Sequence, residues 1–243
     1  MSLRALSVKD RFMGLAVLIL CAGFCLAWWM ANRTDRQMRE HFLHNASFLA
    51  EAINYHHLTA LSGAREDLDR PEYLLLKNQF AAAAASDPLC RFMYLMGRRP
   101  SGEVFFYVDN EPVGSEDEAP AGQLYNEIPY EYLTAFDTKT PLVVGPVTDR
   151  WGTWVTALVP LIDPDTGELL AVFGMDINAQ EWRKKSLASA IPAVLLCAAL
   201  LGTMFLYSVL SRRNARRVKA GRQPMLAPET VVVALSGLTL TLF

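Results

Sequence analysis

The sequence predicts an α+β domain held between membrane-spanning helices, and three observations lead to this class. Two segments, Phe12 to Ala31 and Leu187 to Leu210, contain no charged residue. Each has about the 20 apolar residues that cross a bilayer. Between them, helical periodicity up to residue 85 gives way after residue 90 to short apolar runs separated by turn residues. That order predicts helices packed on one antiparallel sheet.

The two charge-free segments, 12–31 and 187–210, are predicted to be transmembrane helices. A cleaved signal peptide is the alternative for the first, but its apolar run is long and ends in Trp28-Trp29 without a small-residue cleavage site. The segment 211–228 is rich in Arg and Lys and contains no acid, which is typical of a cytoplasmic loop. We therefore expect residues 1–11 inside and residues 32–186 outside. The apolar run 229–243 is interpreted as the start of a third spanning helix, cut by a fragment boundary.

The outer segment is predicted to begin with helices. Apolar residues recur at three- and four-residue steps from Asp35 to Ser62, which predicts one long helix that continues from the first membrane helix. A second helix is expected over residues 71–85, with Pro71 at its first position and Asp69 as its cap.

The pattern then changes to that of strands. Runs at 92–96 and 104–108 flank a turn at 99–102 and predict a hairpin. A long loop at 109–125, a short helix at 129–137 and strands at 142–144, 151–162 and 169–175 are expected to follow. These five strands predict one antiparallel sheet, whose two chain ends must lie close together because both enter the membrane.

The chain carries no recognisable catalytic motif: nucleophile elbow, phosphate loop, zinc signature and kinase motif are all lacking. We therefore expect no catalytic residue, no cofactor, no metal and no nucleic-acid partner. His41 and His44 stand one helical turn apart, but a metal is the less favoured interpretation. The acidic run from Ser115 to Glu118 lacks EF-hand spacing and is predicted to be a solvated loop. Cys90 alone lies in the outer segment, so no internal disulfide is possible there.

The stretch from Asp149 to Trp154 is the first candidate for ligand contact. On a strand, Trp151 and Trp154 would face opposite sides, and Gly152 between them leaves room for a ligand or a packed helix. Arg150 could grip a carboxylate with two parallel hydrogen bonds. The alternative is that both tryptophans are core residues and Arg150 pairs with a surface acid.

Aromatic and acidic residues elsewhere are predicted to border the same cavity, because aromatic walls with a few polar groups suit a small-molecule pocket. Asp176, at the end of the last strand, could bind an amine or cap the following helix, a role for which Asn178 also qualifies. The predicted ligand-binding residues are Tyr94, Phe106, Tyr107, Tyr125, Arg150, Trp151, Trp154 and Asp176.

The segments 87–97, 145–160 and 171–177 resemble the extracytoplasmic Cache (PAS-like) sensor domains of bacterial transmembrane sensor histidine kinases. The resemblance implies a PAS-like, single-Cache five-stranded sheet with a long N-terminal stalk helix. It further implies a multi-pass protein of the bacterial inner membrane, with the sensor on the periplasmic side and a small molecule bound near Arg150 and Trp154. A homodimer through the stalk and membrane helices and contact with the lipid bilayer are expected.

Two other functions stay open at this stage. The outer domain could dock another envelope protein without a small-molecule pocket, or the chain could be the input region of a diguanylate cyclase. In each case the output module, and any enzyme activity such as a histidine kinase phosphotransferase, would lie beyond Phe243.

Overall fold

A computed structural model describes residues 8–223 of the chain. Residues 35–186 form one compact unit, and the flanking residues 8–34 and 187–223 belong to a second. The run 229–243, predicted to begin a third membrane helix, lies outside the described residues.

The second unit contains two helical segments that are long and apolar enough to cross a membrane. Helix α1, Val8–Glu51, carries the first and continues without a break into residues 35–51, here called the stalk. The other segment lies in α6, Ile191–Lys219. The basic residues up to Lys219, predicted to lie in a loop, are helical instead, since Arg and Lys are good helix formers and Gly221 is the first strong breaker.

The unit 35–186 has the predicted α+β class. Its elements after the stalk are α2 Tyr55–Thr59, α3 Pro71–Ser86, β1 Cys90–Arg98, β2 Val104–Asp109, α4 Tyr130–Thr138, β3 Leu142–Asp149, β4 Gly152–Ile162, β5 Leu169–Asn178 and the start of α5 Ala179–Ala188. The strands form one five-stranded sheet in the order β2-β1-β5-β4-β3. All neighbouring pairs are antiparallel, which confirms the predicted sheet.

The long stalk helix is shorter than predicted. It ends at Glu51, and a separate helix α2 starts after Asn54, whose Oδ1 accepts a hydrogen bond of 3.0 Å from the amide of His56. An asparagine that caps a helix in this way favours the start of a new helix over the continuation of the old one. Strand β3 is longer than predicted because a bulge between Val144 and Val147 lets pairing with β4 resume after Gly145-Pro146.

Both faces of the sheet are covered. The stalk and α3 cover one face, to which α1 contributes a buried stripe of Phe42, Ala46 and Ala50. Small alanines in this stripe allow the helix to approach the sheet closely. Helix α4 and the loop between β2 and α4 cover the other face. A sheet buried on both sides explains why its strands are almost continuously apolar.

Candidate functional site

An aromatic cavity lies on the α4 face of the sheet, under the loop that follows β2. Its lining residues are Phe92, Tyr94, Phe106, Asp109, Asp117, Ala119, Tyr125, Asp149, Trp151 and Asp176. The space is about 340 Å³ including its open mouth, and about 20 Å³ of it is wide enough to take the centre of a water molecule. It therefore holds one or two waters as it stands, and a larger molecule requires side chains to move.

The floor of the cavity follows from the strand register. Asp176 on β5 lies beside Phe92 on β1 and Thr156 on β4. One step along, Gly174 lies beside Tyr94, and a Cβ atom on Gly174 would be only 2.2 Å from Cε2 of that ring. Glycine therefore makes room for the Tyr94 ring to lie across β5 and reach Asp176.

Asp176 is a buried carboxylate with incomplete hydrogen bonding. Its Oδ1 accepts from Thr156 Oγ1 at 2.6 Å and from Tyr94 OH at 3.2 Å. Within the described chain, no donor is directed at Oδ2 and no Lys or Arg pairs with the side chain. Burial raises the pKa of Asp176 to about 7, helped by the nearby Asp149 and opposed by the two hydroxyl donors. The side chain was predicted either to bind an amine or to cap a helix, and the cap is instead Asn178, whose Oδ1 accepts from the Gln180 amide at 2.8 Å.

Asp149 organises the opposite wall. Its Oδ1 accepts from the amides of Trp151 and Gly152 at 2.9 and 3.1 Å and from Trp154 Nε1 at 3.1 Å. Its Oδ2 accepts from Tyr125 OH at 2.7 Å. These bonds fold the β3–β4 turn so that the Trp151 ring borders the cavity. Asp149 was not among the predicted site residues, although an aspartate at the start of a tight turn is a recognisable signal.

The prediction that Trp151 and Trp154 face opposite sides is wrong. Trp151 lies in the turn before β4, so strand alternation begins only at Gly152. Both rings join the cluster on the α4 face. Trp151 lies 5.8 Å from the ring of Phe106, centroid to centroid, while Trp154 lies beside the cavity and packs 5.1 Å from Phe92.

Arg150 is directed away from the cavity. Its Nε and Nη2 both donate to the carboxylate of Glu127, with Nη2 at 2.8 Å from Oε2. Its guanidinium also lies 4.7 Å from the ring centroid of Trp151. The side chain is 44% exposed. Pairing with a surface acid, the alternative to a ligand grip, is therefore the observed arrangement.

Tyr107 is also outside the cavity. Its ring packs 4.8 Å from that of Phe105 and against the core on the stalk face. Neighbouring residues on a strand point to opposite faces, so Tyr107 cannot share the cavity with Phe106. Of the eight predicted residues, the structure brings five together around the cavity: Tyr94, Phe106, Tyr125, Trp151 and Asp176.

A buried ion cluster holds the loop over the cavity. Lys77 of α3 donates to Asp109 Oδ1 at 2.7 Å and to Glu118 Oε1 at 3.0 Å. Asp109 also accepts from the Ala119 amide at 2.5 Å. Burial lowers the pKa of Lys77, but the two carboxylates outweigh it and the net pKa is raised. Glu118 was predicted to be part of a solvated run, and its side chain is instead only 8% exposed.

Arg91 pairs with the same loop at its outer side. Its guanidinium binds Glu111 and, at 2.7 Å, Asp117 Oδ2. Two acids of the cavity lining, Asp109 and Asp117, are thus neutralised by neighbouring cations. Over residues 8–223, no group of His, Cys, Asp and Glu side chains is arranged to hold a metal ion.

The two chain ends of the unit 35–186 meet in a set of contacts that we call the terminal clamp: Asp35, Arg39, Gly145 and Trp182. Trp182 Nε1 on α5 donates to Asp35 Oδ1 on the stalk at 2.7 Å. Arg39 donates to Asp35 Oδ2 at 2.9 Å and to the Gly145 carbonyl of β3 at 3.1 Å. The clamp therefore links the first helix, the last helix and the sheet, and it satisfies the expectation that the two ends lie close together.

No family model and no curated protein matches this sequence. Similar solved structures include the ligand-binding domain of the Campylobacter jejuni chemoreceptor Tlp3 in complex with 4-methylisoleucine, at 16% identity and a TM-score of 0.42 over 69% of this chain. Another is the same domain in complex with L-valine, at 16% identity and a TM-score of 0.44 over 73% of this chain. The chain spans less than two thirds of these structures, 62% and 66% of their lengths.

Proposed function

We propose that residues 35–186 are the ligand-sensing input domain of a membrane signal transducer, and that a small molecule binds in the aromatic cavity. One observation carries this proposal: a buried carboxylate, Asp176, faces a cavity walled by aromatic rings, on a sheet that the terminal clamp ties to both chain ends. Packing alone would not require a charged group there, because burying an uncompensated carboxylate costs several kcal/mol.

A sensor must convert binding into movement of its ends. Asp176 accepts a hydrogen bond from Thr156 on β4, and β4 pairs with β3, whose Gly145 carbonyl binds Arg39 of the stalk. A ligand that draws Asp176 toward itself would strain this series of contacts. The ligand shifts the ends only if it prefers one of two arrangements of the clamp, since equal affinity for both shifts nothing.

The proposed setting is the bacterial inner membrane, with residues 12–31 and 187–210 as spans. Residues 32–186 would lie in the periplasm and residues 1–11 and 211–228 in the cytoplasm. The two apolar helices and the basic residues after residue 210 support this topology. Single introduced cysteines at exposed sites in a Cys-free chain, labelled in intact spheroplasts with an impermeant maleimide, test it. Labelling of the 32–186 sites without permeabilisation is expected, and protection there contradicts the orientation.

A sensor histidine kinase that dimerises through the stalk and membrane helices is the proposed parent protein. An input domain of this kind serves other outputs equally well, so the kinase is tested directly. The protein that carries this chain, in native membranes, should incorporate the γ-phosphate of ATP on histidine, as an acid-labile and alkali-stable label. Cyclic dinucleotide synthesis without phosphohistidine would favour a diguanylate cyclase instead.

Ligand binding is tested with the full chain in nanodiscs, screened against a metabolite library by thermal shift and then titration calorimetry. A ligand of the cavity should lose affinity in Trp151→Ala and keep it in Tyr130→Ala, because Tyr130 on α4 is an 82% exposed aromatic residue outside the lining. Binding that both variants retain places the ligand elsewhere on the protein.

The narrowness of the cavity favours a second candidate, an interaction module that docks another envelope protein. Phe48 on the stalk and Val113 in the loop are apolar side chains that are 70% and 73% exposed. This candidate predicts that Phe48→Ser or Val113→Ser impairs signalling in cells while Trp151→Ala does not. The reverse result favours the ligand sensor.

A further inference from the structure

Several aromatic rings pack together around the cavity. The ring centroid of Phe106 lies 5.6 Å from that of Tyr94, 5.1 Å from that of Tyr125 and 5.8 Å from that of Trp151. Two of these three pairs meet edge to face, so the ring planes differ in orientation. A positive charge within about 6 Å of a ring face is attracted by the quadrupole of the ring, so a cation that enters among these rings is stabilised.

The charges at the cavity are negative and only partly neutralised. Lys77 neutralises Asp109, and Arg91 neutralises Asp117. Asp149 and Asp176, in contrast, have no Lys or Arg partner in the part of the chain that the structure describes. Asp176 is 3% exposed, and no donor among the described residues reaches its Oδ2. Both oxygens of Asp149 already accept hydrogen bonds, so Asp149 contributes its negative charge, whereas Oδ2 of Asp176 is open to direct contact with a cation that enters.

The cavity offers nothing to an anionic group. Among the described residues that line it there is no Lys, Arg or His. The two nearby guanidinium groups are already paired with acids, Arg150 with Glu127 and Arg91 with Glu111 and Asp117. A carboxylate in the cavity would lack a partner and would be repelled by Asp149 and Asp176.

We infer that the ligand is an organic ammonium ion that carries no carboxylate, with its charged nitrogen between the aromatic rings and the carboxylates of Asp149 and Asp176. This inference rests on the proposed sensing function and adds the chemical class of the ligand. A free amino acid is disfavoured, because its carboxylate would have to enter the same acidic space. The cavity is too narrow for the alkyl part of such a ligand, so the side chain of Tyr125 or Trp151 must turn outward when the ligand enters.

Proton release is a second signature of this ligand class. The pKa of Asp176 is raised to about 7 by burial, so about half of the carboxyl groups are protonated at pH 7 in the empty cavity. A bound cation favours the ionised form and lowers that pKa. Binding at pH 7 is therefore expected to release up to about half a proton per site, measurable as a dependence of the binding enthalpy on the ionisation enthalpy of the buffer.

The test uses the full chain in nanodiscs of digalactosyldiacylglycerol, an uncharged lipid without an ammonium headgroup, and a matched set of probes. n-Butylammonium and tetramethylammonium are the cations, n-butanol and n-butyrate are the neutral and anionic analogues, and L-norvaline is n-butylammonium with an added α-carboxylate. At least one cation should bind with a Kd below about 10 mM, roughly tenfold or more tighter than the other three probes. Asp176→Asn and Asp149→Asn should weaken it by roughly tenfold or more, and Trp151→Leu by about 2- to 30-fold.

Asp137→Asn is the matched control, because this carboxylate pairs with Arg98 on the exposed side of α4 and should leave binding unchanged. Near-ultraviolet circular dichroism verifies that each variant is folded. If L-norvaline or n-butyrate binds as tightly as the cations and loses affinity in Trp151→Leu, the ammonium inference is overturned while the sensing function stands. If neither cation binds the folded chain, the inference is also overturned. The sensing function itself fails only if the metabolite library yields no ligand that depends on Trp151.

Discussion

Lys77 provides the sharpest prediction about stability. In the unit 35–186 its Nζ binds Asp109 and Glu118 at 2.7 and 3.0 Å, and the three side chains are only 7%, 5% and 8% exposed. Lys77→Met keeps most of the side-chain volume but leaves two buried carboxylates without a cation. Breaking a buried ion pair from one side costs about 3–5 kcal/mol. We expect Lys77→Met to lower the free energy of unfolding by that amount at pH 7.

The matched control is Lys184→Met. Lys184 pairs with Glu181 at 2.6 Å, but the two side chains are 69% and 50% exposed, so solvent screens the pair and its loss should cost less than about 1 kcal/mol. Urea unfolding of the detergent-solubilised full chain, followed by tryptophan fluorescence, measures both variants. At pH 4 the cost of Lys77→Met should shrink, because burial raises the pKa of Asp109 and protonation then removes its uncompensated charge. Equal costs for the two variants, or a cost that grows at low pH, would refute the buried cluster.

The other predictions concern the cavity floor and the clamp. Asp176→Asn should stabilise the unit increasingly as pH rises from 4 to 7, because the folded pKa of about 7 lies above the unfolded value of 3.8, and the gain approaches about 4 kcal/mol at pH 8 as an upper limit. Gly174→Ala should lower the free energy of unfolding by about 1–3 kcal/mol and change the near-ultraviolet circular dichroism, because the new methyl group displaces the Tyr94 ring. Gly202→Ala is the control and should leave the dichroism spectrum unchanged, because its new methyl group meets no atom within 4 Å. Trp182→Phe should cost about 1.5–3 kcal/mol, because it removes a hydrogen bond to a carboxylate.

Each of these has a contradicting outcome. A stability difference between Asp176→Asn and the original chain that is constant with pH would mean that the carboxylate does not titrate near neutrality. An unchanged dichroism spectrum in Gly174→Ala would mean that the Tyr94 ring does not lie across β5. Full stability in Trp182→Phe would mean that the clamp does not hold the two helices together.

The sequence predicted the helices and strands well because their hydrophobic periods are long and their turns contain glycine, proline and asparagine. Its errors lie where one residue decides the result. Asn54 starts α2 as a separate helix by a single side-chain hydrogen bond, which periodicity cannot reveal. Trp151 was assigned to the wrong face because β4 begins one residue later than predicted, so Trp151 lies in a turn to which strand alternation does not apply.

The sequence predicted the aromatic lining of the cavity but not the pairing of the charged residues around it. Aromatic residues were recognisable by type, and four of the predicted ones do line the space: Tyr94, Phe106, Tyr125 and Trp151. The partners of charged residues were not predictable, because Lys77 lies 32 residues from Asp109 in the chain. Arg150 was expected at a ligand and binds Glu127 instead, a choice that depends on where a loop places one acid.

The most direct test of the central claim is ¹⁹F NMR of the full chain labelled with 5-fluorotryptophan, in nanodiscs, with each resonance assigned by a Trp→Phe variant. Trp151 and Trp154 report on the cavity, Trp182 reports on the terminal clamp, and Trp28 and Trp29 in the apolar run of α1 serve as internal references. An alkylammonium ligand is expected to shift the cavity and clamp resonances with the same midpoint. Asp176→Asn should raise that midpoint by roughly tenfold or more. Cavity resonances that do not respond to any ligand, or a clamp resonance that stays fixed while the cavity fills, would contradict the proposal that binding in the cavity moves the clamp.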